Sequence, residues 1–239
     1  MLQDLIEINL FSFFLIFARL GTAFSTMPGF ASAYVSMRIR LSIALASSFL
    51  IMPVIGPDLP VMPKSLIALS LLIFGEVIIG SFIGMIARVF IGALQTAGTL
   101  IAYSSSMANA MINDPISEQQ SSTTAGFLMT TGLILIFVSD LHHLMFQALV
   151  DSYTLFVPGF SFPAGDLSNF FANSVNGSFK LGLQLAFPFI IVGLTYNIGL
   201  GLLGRLMPAL PVFFFGIPGQ LALQFWIFTI TFSGIMLTF

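Results

Sequence analysis

Long runs without a charged residue constrain this sequence more than any other feature. A helix that crosses the ~30 Å hydrocarbon core of a bilayer needs ~20 mostly apolar residues. Only 7% of the 239 residues are charged, against about 25% in a soluble domain, so lipid or apolar protein must cover most of the surface. Stretches that approach or exceed the length of a span and lack Asp, Glu, Lys and Arg include 20–37, 41–57, 119–139, 181–204 and 206–239.

The apolar runs predict an all-α membrane protein with about six hydrophobic helices. Backbone N–H and C=O groups in lipid must be hydrogen-bonded within the protein, which favours helices. The sequence does not show the alternation of apolar and polar residues that a membrane β-barrel requires. We predict a single helical membrane domain over residues 1–239, with helices at 8–27, 39–56, 65–90, 125–150, 179–203 and 212–238.

Proline and polar residues predict where these helices are interrupted. After Tyr103 the chain is polar as far as Thr124. Within this stretch the Asp114-Pro115 pair predicts a turn, because the residue before a proline avoids the helical region. Further breaks are expected at 157–174 and around Pro208, Pro211 and Pro218.

Lys and Arg in the connections predict the orientation of the helices, because cytoplasmic loops are enriched in these residues. If six helices alternate, four arginines lie on the cytoplasmic side. Both termini then lie outside, together with Lys64 and Lys180. The four arginines are Arg38, Arg40, Arg88 and Arg205.

Two ionisable residues in apolar segments, Arg19 and Glu76, are candidates for a special role. An ionised side chain at the bilayer centre costs about 2.5–3.5 kcal/mol on insertion scales. Glu76 is therefore either a polar site on an ion path or a buried polar anchor. The segment that contains Glu76 holds no second carboxylate to form a proton relay, which favours the buried polar anchor. Arg19 is interpreted in the same way, as a buried polar anchor. An anchor that acts through hydrogen bonds alone would tolerate Gln at position 76.

Gly80 and Gly84 form a GxxxG pair on the same predicted helix. Two small residues one turn apart let the backbone of another helix approach closely. The pair predicts a helix-packing face, which could be used within this chain or between subunits.

No pattern of catalytic, metal-binding or cofactor-binding residues is present in the sequence. It contains no cysteine, and it lacks the metalloprotease, nucleophile-elbow, P-loop and dinucleotide motifs. His142 and His143 follow Asp140, but adjacent side chains on a helix point about 100° apart and should not converge on one metal ion. We predict that the chain is not an enzyme and holds no metal or cofactor. Since no basic run is present, nucleic acid is not expected as a partner.

The polar stretch after Tyr103 mixes Met107 and Met111 with Ser and Asn. Its composition alone indicates an ordinary connection between two helices. The methionines are unusual in such a connection, because their flexible side chains suit packing against partners that change shape.

The order and spacing of several motifs resemble the FliR family, membrane proteins of the flagellar export apparatus with counterparts in virulence type III secretion systems. The resemblance extends over nearly the whole chain, although no single motif is specific. The last segment differs from the family pattern at Ala209 and Gly219-Gln220. The motifs are Arg19, Met27-Pro28, Arg38-Ile39-Arg40, Ala44, Pro53, Gly75-Glu76, Gly80, Gly84, Gln95-Thr96-Ala97-Gly98, Asp114-Pro115, Arg205-Leu206-Met207-Pro208, Val212-Phe213-Phe214 and Gly216-Ile217-Pro218.

The resemblance implies a non-enzymatic subunit of a protein export gate in the bacterial inner membrane, at the flagellar basal body. It implies FliP-like and FliQ-like membrane proteins and an FlhB-like switch protein as partners, and unfolded polypeptides in transit. It also implies that the helices form bent hairpins within a larger, helically arranged assembly around a closed pore.

The resemblance assigns a pore-plugging role to residues 103–122, named here the candidate plug segment. Two alternatives remain open. One is the injectisome version of the same gate, and the other is a secondary transporter or channel with Glu76 as its polar site. The candidate plug residues are Met107, Asn109, Met111, Asn113 and Asp114.

Overall fold

The computed structural model describes the backbone of residues 2–107, 111–113, 120–159, 164–207 and 212–239. A 3-10 turn, Gly56–Asp58, follows the second helix, and two short strands, β1 (Met111–Asn113) and β2 (Gln120–Ser122), precede the fourth. The helices in the described residues are α1 (Leu2–Thr26), α2 (Met37–Ile55), α3 (Leu66–Ser104), α4 (Thr123–Val138), α5 (Leu141–Leu155), α6 (Ala164–Leu206) and α7 (Val212–Thr238).

The prediction of an all-α membrane protein is confirmed, with somewhat fewer candidate spans than the six predicted helices. Within the described residues, four helices are long and apolar enough to cross a membrane: α2, α3, α6 and Phe214–Thr238 of α7. The bent pair α4 and α5 adds a fifth if it counts as one span. The apolar part of α1, Leu10–Thr26, is shorter than these.

Two helices extend well beyond the limits predicted from hydropathy. Helix α3 continues past residue 90 to Ser104, so Arg88 lies inside the helix instead of at its end. Helix α6 begins at Ala164, within the break predicted at 157–174, and carries Asp166 in its first turn, where a carboxylate favours the positive end of the helix dipole. The polar start of α6 has a clear cause: hydropathy detects the part of a helix that suits lipid, whereas helix formation itself needs no lipid-facing surface.

The structure also places two interruptions differently. The segment predicted at 125–150 is not one helix, because Asp140 has a φ of 58° and a left-handed residue ends a right-handed helix. Helices α4 and α5 are bent by 75° at this break. Pro218 lies inside α7, as membrane helices tolerate. The predicted interruptions at Asp114-Pro115, Pro208 and Pro211 lie outside the described residues.

The chain divides into two compact units. Unit 1 consists of Met1–Val89 and Ile136–Ser174, and unit 2 consists of Phe90–Leu135 and Val175–Phe239. The long helices α3 and α6 each contribute residues to both units. The single helical domain expected from the sequence stays a prediction.

The core of unit 1 is an apolar cluster to which α1, α2 and α5 contribute. The rings of Phe24, Phe30 and Phe146 pack with centroids 5.2–5.5 Å apart, in the tilted and edge-on arrangements that aromatic pairs favour. Nε of Arg40 donates to the carbonyl oxygen of Phe30 at 2.9 Å, which ties the turn after α1 to the start of α2. The buried residues of the cluster are Ile16, Leu20, Ala23, Phe24, Met27, Ala44, Ile55, Leu149 and Tyr153.

In unit 2, helices α3 and α6 approach closely at two glycines of α6. A Cβ atom at Gly182 would lie 2.7 Å from the carbonyl oxygen of Ala93, and one at Gly193 would lie 2.7 Å from that of Ser104. Real Cβ atoms essentially never come that near. The last part of α3 is therefore held against α6 by backbone contact, which positions the start of the candidate plug segment.

Candidate functional sites

An ion pair between Arg19 on α1 and Glu76 on α3 lies in the interior of unit 1. Nε of Arg19 donates to Oε2 of Glu76 at 2.6 Å, and Nη2 donates to Oε1 at 3.0 Å. This bidentate arrangement matches the planar guanidinium to the planar carboxylate. The side chains of Arg19 and Glu76 are 0% and 2% exposed. The structure thus pairs two residues that sequence analysis had considered separately.

The guanidinium of Arg19 also reaches α5 and its C-terminal cap. Nη1 donates to Oγ of Ser152 at 3.0 Å, and Nη2 donates to the carbonyl oxygen of Phe156 at 2.8 Å. The Cζ atom lies 3.8 Å from the ring centroid of Tyr153, a cation–π contact. Four of the five guanidinium N–H groups therefore have an acceptor. One buried side chain joins three helices of unit 1.

Gly80 and Gly84 lie where α3 passes closest to α1. A Cβ atom at Gly80 would overlap the carbonyl oxygen of Arg19, and one at Gly84 would lie 2.8 Å from the carbonyl oxygen of Ala23. The GxxxG face therefore packs within this chain. Since Gly80 is one turn from Glu76, the same close approach brings the carboxylate to the guanidinium.

Asp140, His142 and His143 lie at the break between α4 and α5. The two imidazole centroids are 4.2 Å apart, and one ligand atom from each of the three residues lies within 4.8 Å of the others. The side chains therefore converge more than the sequence led us to expect. Donors on a tetrahedral Zn²⁺ with ~2.1 Å bonds lie about 3.4 Å apart. Nδ1 of His143 lies 3.7 Å from Oδ1 of Asp140, and the absence of a metal stays a prediction.

The candidate plug segment begins at a strained turn. Ser106 has a φ of 60°, and the N–H of Met107 donates to the carbonyl oxygen of Ala102 at 2.9 Å, as in a Schellman cap. Glycine usually occupies this left-handed position, since other residues there are less favourable by about 1–2 kcal/mol. A serine at this position supplies a hydroxyl that glycine lacks.

Gln220 on α7 uses that hydroxyl. Oγ of Ser106 donates to Oε1 of Gln220 at 3.1 Å, and Nε2 of Gln220 donates to the carbonyl oxygen of Ser104 at 2.8 Å. Gln220 is 1% exposed, so its amide is shielded from water, whereas Ser106 is exposed. The two hydrogen bonds tie the first end of the candidate plug segment to α7.

The second end of the candidate plug segment returns as a two-stranded antiparallel hairpin, with Met111 opposite Ser122. Oγ of Ser122 accepts from the N–H of Ala125 at 3.2 Å, which caps the start of α4. The same hydroxyl donates to the carbonyl oxygen of Gly98 on α3 at 3.3 Å. A Cβ atom at Gly98 would lie 2.6 Å from the nitrogen of Ala125. The second end is therefore tied to α3.

The predicted plug residues are placed only in part. Met107 is half-buried and lines a cavity of unit 2. Met111 and Asn113 belong to strand β1, while Asn109 and Asp114 lie outside the described residues.

Some residues that hold the two sites in place were not predicted from the sequence. Gln220 and Gln224 could have been predicted. They lie four residues apart in an uncharged run, so they share one helix face. A buried amide on such a face needs hydrogen-bond partners. Ser152 and Tyr153 carried no such signal, because their polarity is ordinary for their surroundings in the chain.

Comparison with known proteins gives the family. The profile of the bacterial export proteins, family 1, matches residues 10–239. The flagellar biosynthetic protein FliR of Caulobacter vibrioides is 37% identical over 221 residues, covering 92% of this chain and 88% of that protein.

Two further relatives match over a similar length. FliR of Bacillus subtilis is 29% identical over 91% of this chain and 85% of its own length. The Yop proteins translocation protein T of Yersinia pestis is 29% identical over 91% of this chain and 84% of its own. Together with the membrane-length helices, these matches show that the chain is a multi-pass membrane protein belonging to the FliR family of bacterial export proteins.

Proposed function

We propose that this chain is a non-enzymatic subunit of the flagellar type III protein export gate in the bacterial inner membrane. The observation that carries the proposal is the 37% identity to a flagellar FliR over 92% of the chain. The injectisome alternative rests on the Yop proteins translocation protein T, which is 29% identical over 91% of the chain. The two matches cover the same length, so the higher identity favours the flagellar system.

The chain belongs to an export-protein family and therefore to a multi-protein export complex. We propose FliP-like and FliQ-like membrane proteins and an FlhB-like protein as its partners. Large apolar side chains on α2 and α7 support this, because lipid or the apolar faces of other helices must cover them. They include Leu50, Val54, Phe49, Phe214, Phe215 and Trp226, which are 66–75% exposed.

Co-expression tests these partners. Expressed alone, the chain should be degraded or heterogeneous in mild detergent, because its apolar faces remain uncovered. Expressed with FliP-like and FliQ-like proteins of the same bacterium, it should elute with them as one monodisperse complex in size-exclusion chromatography. A monodisperse, thermally stable monomer obtained without companions would contradict the proposal.

We further propose that the candidate plug segment seals the pore when no polypeptide is in transit. Its two ends are anchored on different elements, the first to Gln220 on α7 and the second to Gly98 on α3. Flexible methionine side chains can fill an irregular apolar constriction, and such constrictions also gate by excluding water.

Replacing Met107 and Met111 together with Gly should make the assembled complex leaky to small ions. The loss of two thioether side chains opens the constriction without removing the backbone of the hairpin. Ion conductance across planar bilayers that contain the purified complex would measure the leak. Met62→Gly, in a loop of unit 1, is the matched control and should leave conductance unchanged. A double variant that assembles and stays closed would show that this segment is an ordinary connection.

The ion pair bears on the transporter alternative. A residue that carries a proton or ion must be able to release its partner, whereas Glu76 is held by two hydrogen bonds from Arg19 and is nearly inaccessible to water. The pairing accounts for a buried carboxylate without any transported ion. We therefore propose a structural role for both residues.

A further inference from the structure

Three helices of unit 2 meet at the carbonyl oxygen of Ser104, the last residue of α3. The last carbonyl groups of a helix have no partner within that helix. Nε2 of Gln220 donates to the Ser104 oxygen at 2.8 Å, and Nε2 of Gln224 donates to it more weakly at 3.4 Å. A Cβ atom at Gly193 on α6 would lie 2.7 Å from the same oxygen. The end of α3 is therefore fixed between α6 and α7.

Gln220 connects this fixed helix end to the turn that follows it. Because the Ser104 carbonyl can only accept, the amide of Gln220 must present its nitrogen there, which leaves Oε1 as an acceptor. Oε1 accepts from Oγ of Ser106 at 3.1 Å. Ser106 is exposed and lies beyond the end of α3. The bond to Ser106 can therefore break while the bond to Ser104 remains.

The backbone at Ser106 opposes the bond to Gln220. Its φ is 60°, and a residue with a side chain is disfavoured in the left-handed region by a factor of about five to thirty. One hydrogen bond favours the bonded arrangement by a factor of about two to ten. The two effects have opposite signs and similar sizes, so the turn is held in place by a narrow margin.

We propose that Gln220 and Ser106 form a releasable latch, in which Gln220 positions the first end of the candidate plug segment. The latch rests on the proposed function of that segment as a seal. Release breaks one hydrogen bond and relaxes one strained residue, while the contacts of α3 with α6 and α7 stay in place. A polypeptide that displaces the segment therefore has little to overcome at this end.

Two substitutions at Ser106 separate the hydrogen bond from the strain. Ser106→Ala removes the hydroxyl and keeps a side chain in the left-handed region, so the strain remains without the bond. Hydrogen exchange at Met107 and at strands β1 and β2, which reports how often the segment opens, should become about twofold to tenfold faster. Ser106→Gly removes the bond and the strain together, so exchange there should be at least about threefold slower than in Ser106→Ala.

The exchange is measured by mass spectrometry on the full chain in complex with its companion subunits. Ser42→Ala is the matched control, at an exposed serine of unit 1 whose hydroxyl bonds within its own helix, and it should leave the exchange unchanged. The latch is overturned if Ser106→Ala exchanges no faster than Ser42→Ala. It is also overturned if Ser106→Gly exchanges as fast as Ser106→Ala, because glycine loosens an ordinary turn most.

Gln220→Leu tests the other side of the latch by removing the acceptor for Ser106. Adding Ser106→Ala to Gln220→Leu should change the exchange rate by less than about twofold, because the shared bond is already absent. Independent, multiplying effects of the two substitutions would contradict the pairing. If Gln220→Leu does not assemble, the comparison of the two Ser106 variants decides by itself.

Ion conductance of the same complexes separates the latch from the proposed seal. Faster exchange in Ser106→Ala together with raised conductance supports both. Faster exchange at unchanged conductance supports the latch and contradicts the sealing role of the segment alone. Unchanged exchange in Ser106→Ala, with a leaky methionine double variant, would keep the seal and overturn the latch.

Discussion

Replacing Glu76 with Ala should destabilise unit 1 by about 3–5 kcal/mol, the usual effect of removing one partner of a buried ion pair. The loss is large because the Arg19 guanidinium would keep its charge in an interior where it is 0% exposed. Arg19→Ala should have a similar effect, since it strands the carboxylate and also removes the bonds to Ser152 and Phe156. The free energy of unfolding, measured by SDS titration in mixed micelles, would give both values.

Glu76→Gln separates the charge from the hydrogen bonds. The amide oxygen can still accept one bond from Arg19, but the positive charge loses its counter-charge and the amide nitrogen faces a donor. Most of the loss seen in Glu76→Ala should therefore remain. The sequence alone predicts that Gln suffices at this position, and the bidentate pairing replaces that expectation.

Two controls define the effect of the pair. The double variant Arg19→Met, Glu76→Leu removes both charges at similar volume and should recover most of the stability, because apolar replacement of a buried pair is often neutral or better. Asp151→Ala, at an exposed carboxylate on α5, should change stability by less than about 0.5 kcal/mol. If Glu76→Ala were as mild as Asp151→Ala, the ion pair would not stabilise unit 1.

Gly80→Ala should separate α1 from α3 and destabilise unit 1 by about 1–3 kcal/mol or more, as overpacking of a tight interior does. The added methyl group would overlap the carbonyl oxygen of Arg19, and a helix backbone yields to such an overlap only by moving as a whole. Gly84→Ala should act in the same direction, because its methyl group would meet the side chain of Thr26 and the carbonyl oxygen of Ala23. The same titration measures both variants.

Gly75→Ala on the same helix is the matched control. Nothing lies within 4 Å of a Cβ atom at Gly75, so only the helix propensity changes, which favours Ala by up to ~1 kcal/mol. The control should be neutral or stabilising where Gly80→Ala is destabilising. Equal effects at the two positions would mean that α1 and α3 are not held together by this contact.

The sequence by itself determined the class of the protein and most of its helices. A chain with 7% charged residues and uncharged runs of membrane length has no soluble alternative. The partition of each segment between lipid and water depends only on its own residues, so each of the six predicted segments overlaps helix in the structure, although the bounds of α3 and α6 differ and the segment at 125–150 is broken. The same local reasoning missed the polar start of α6 at Ala164 and the left-handed break at Asp140, because neither depends on hydropathy.

Only the tertiary structure decided which polar residues are partners. Glu76 lies 57 positions from Arg19, and Ser152 lies 133 positions from it. Their meeting depends on Gly80 letting two backbones approach, as the Gln220 bond to Ser106 depends on α7 passing the end of α3. Hydropathy is a sum over neighbours in the chain, whereas a hydrogen bond requires two atoms about 3 Å apart. That distance is set by how helices cross, and no single segment of the sequence contains it.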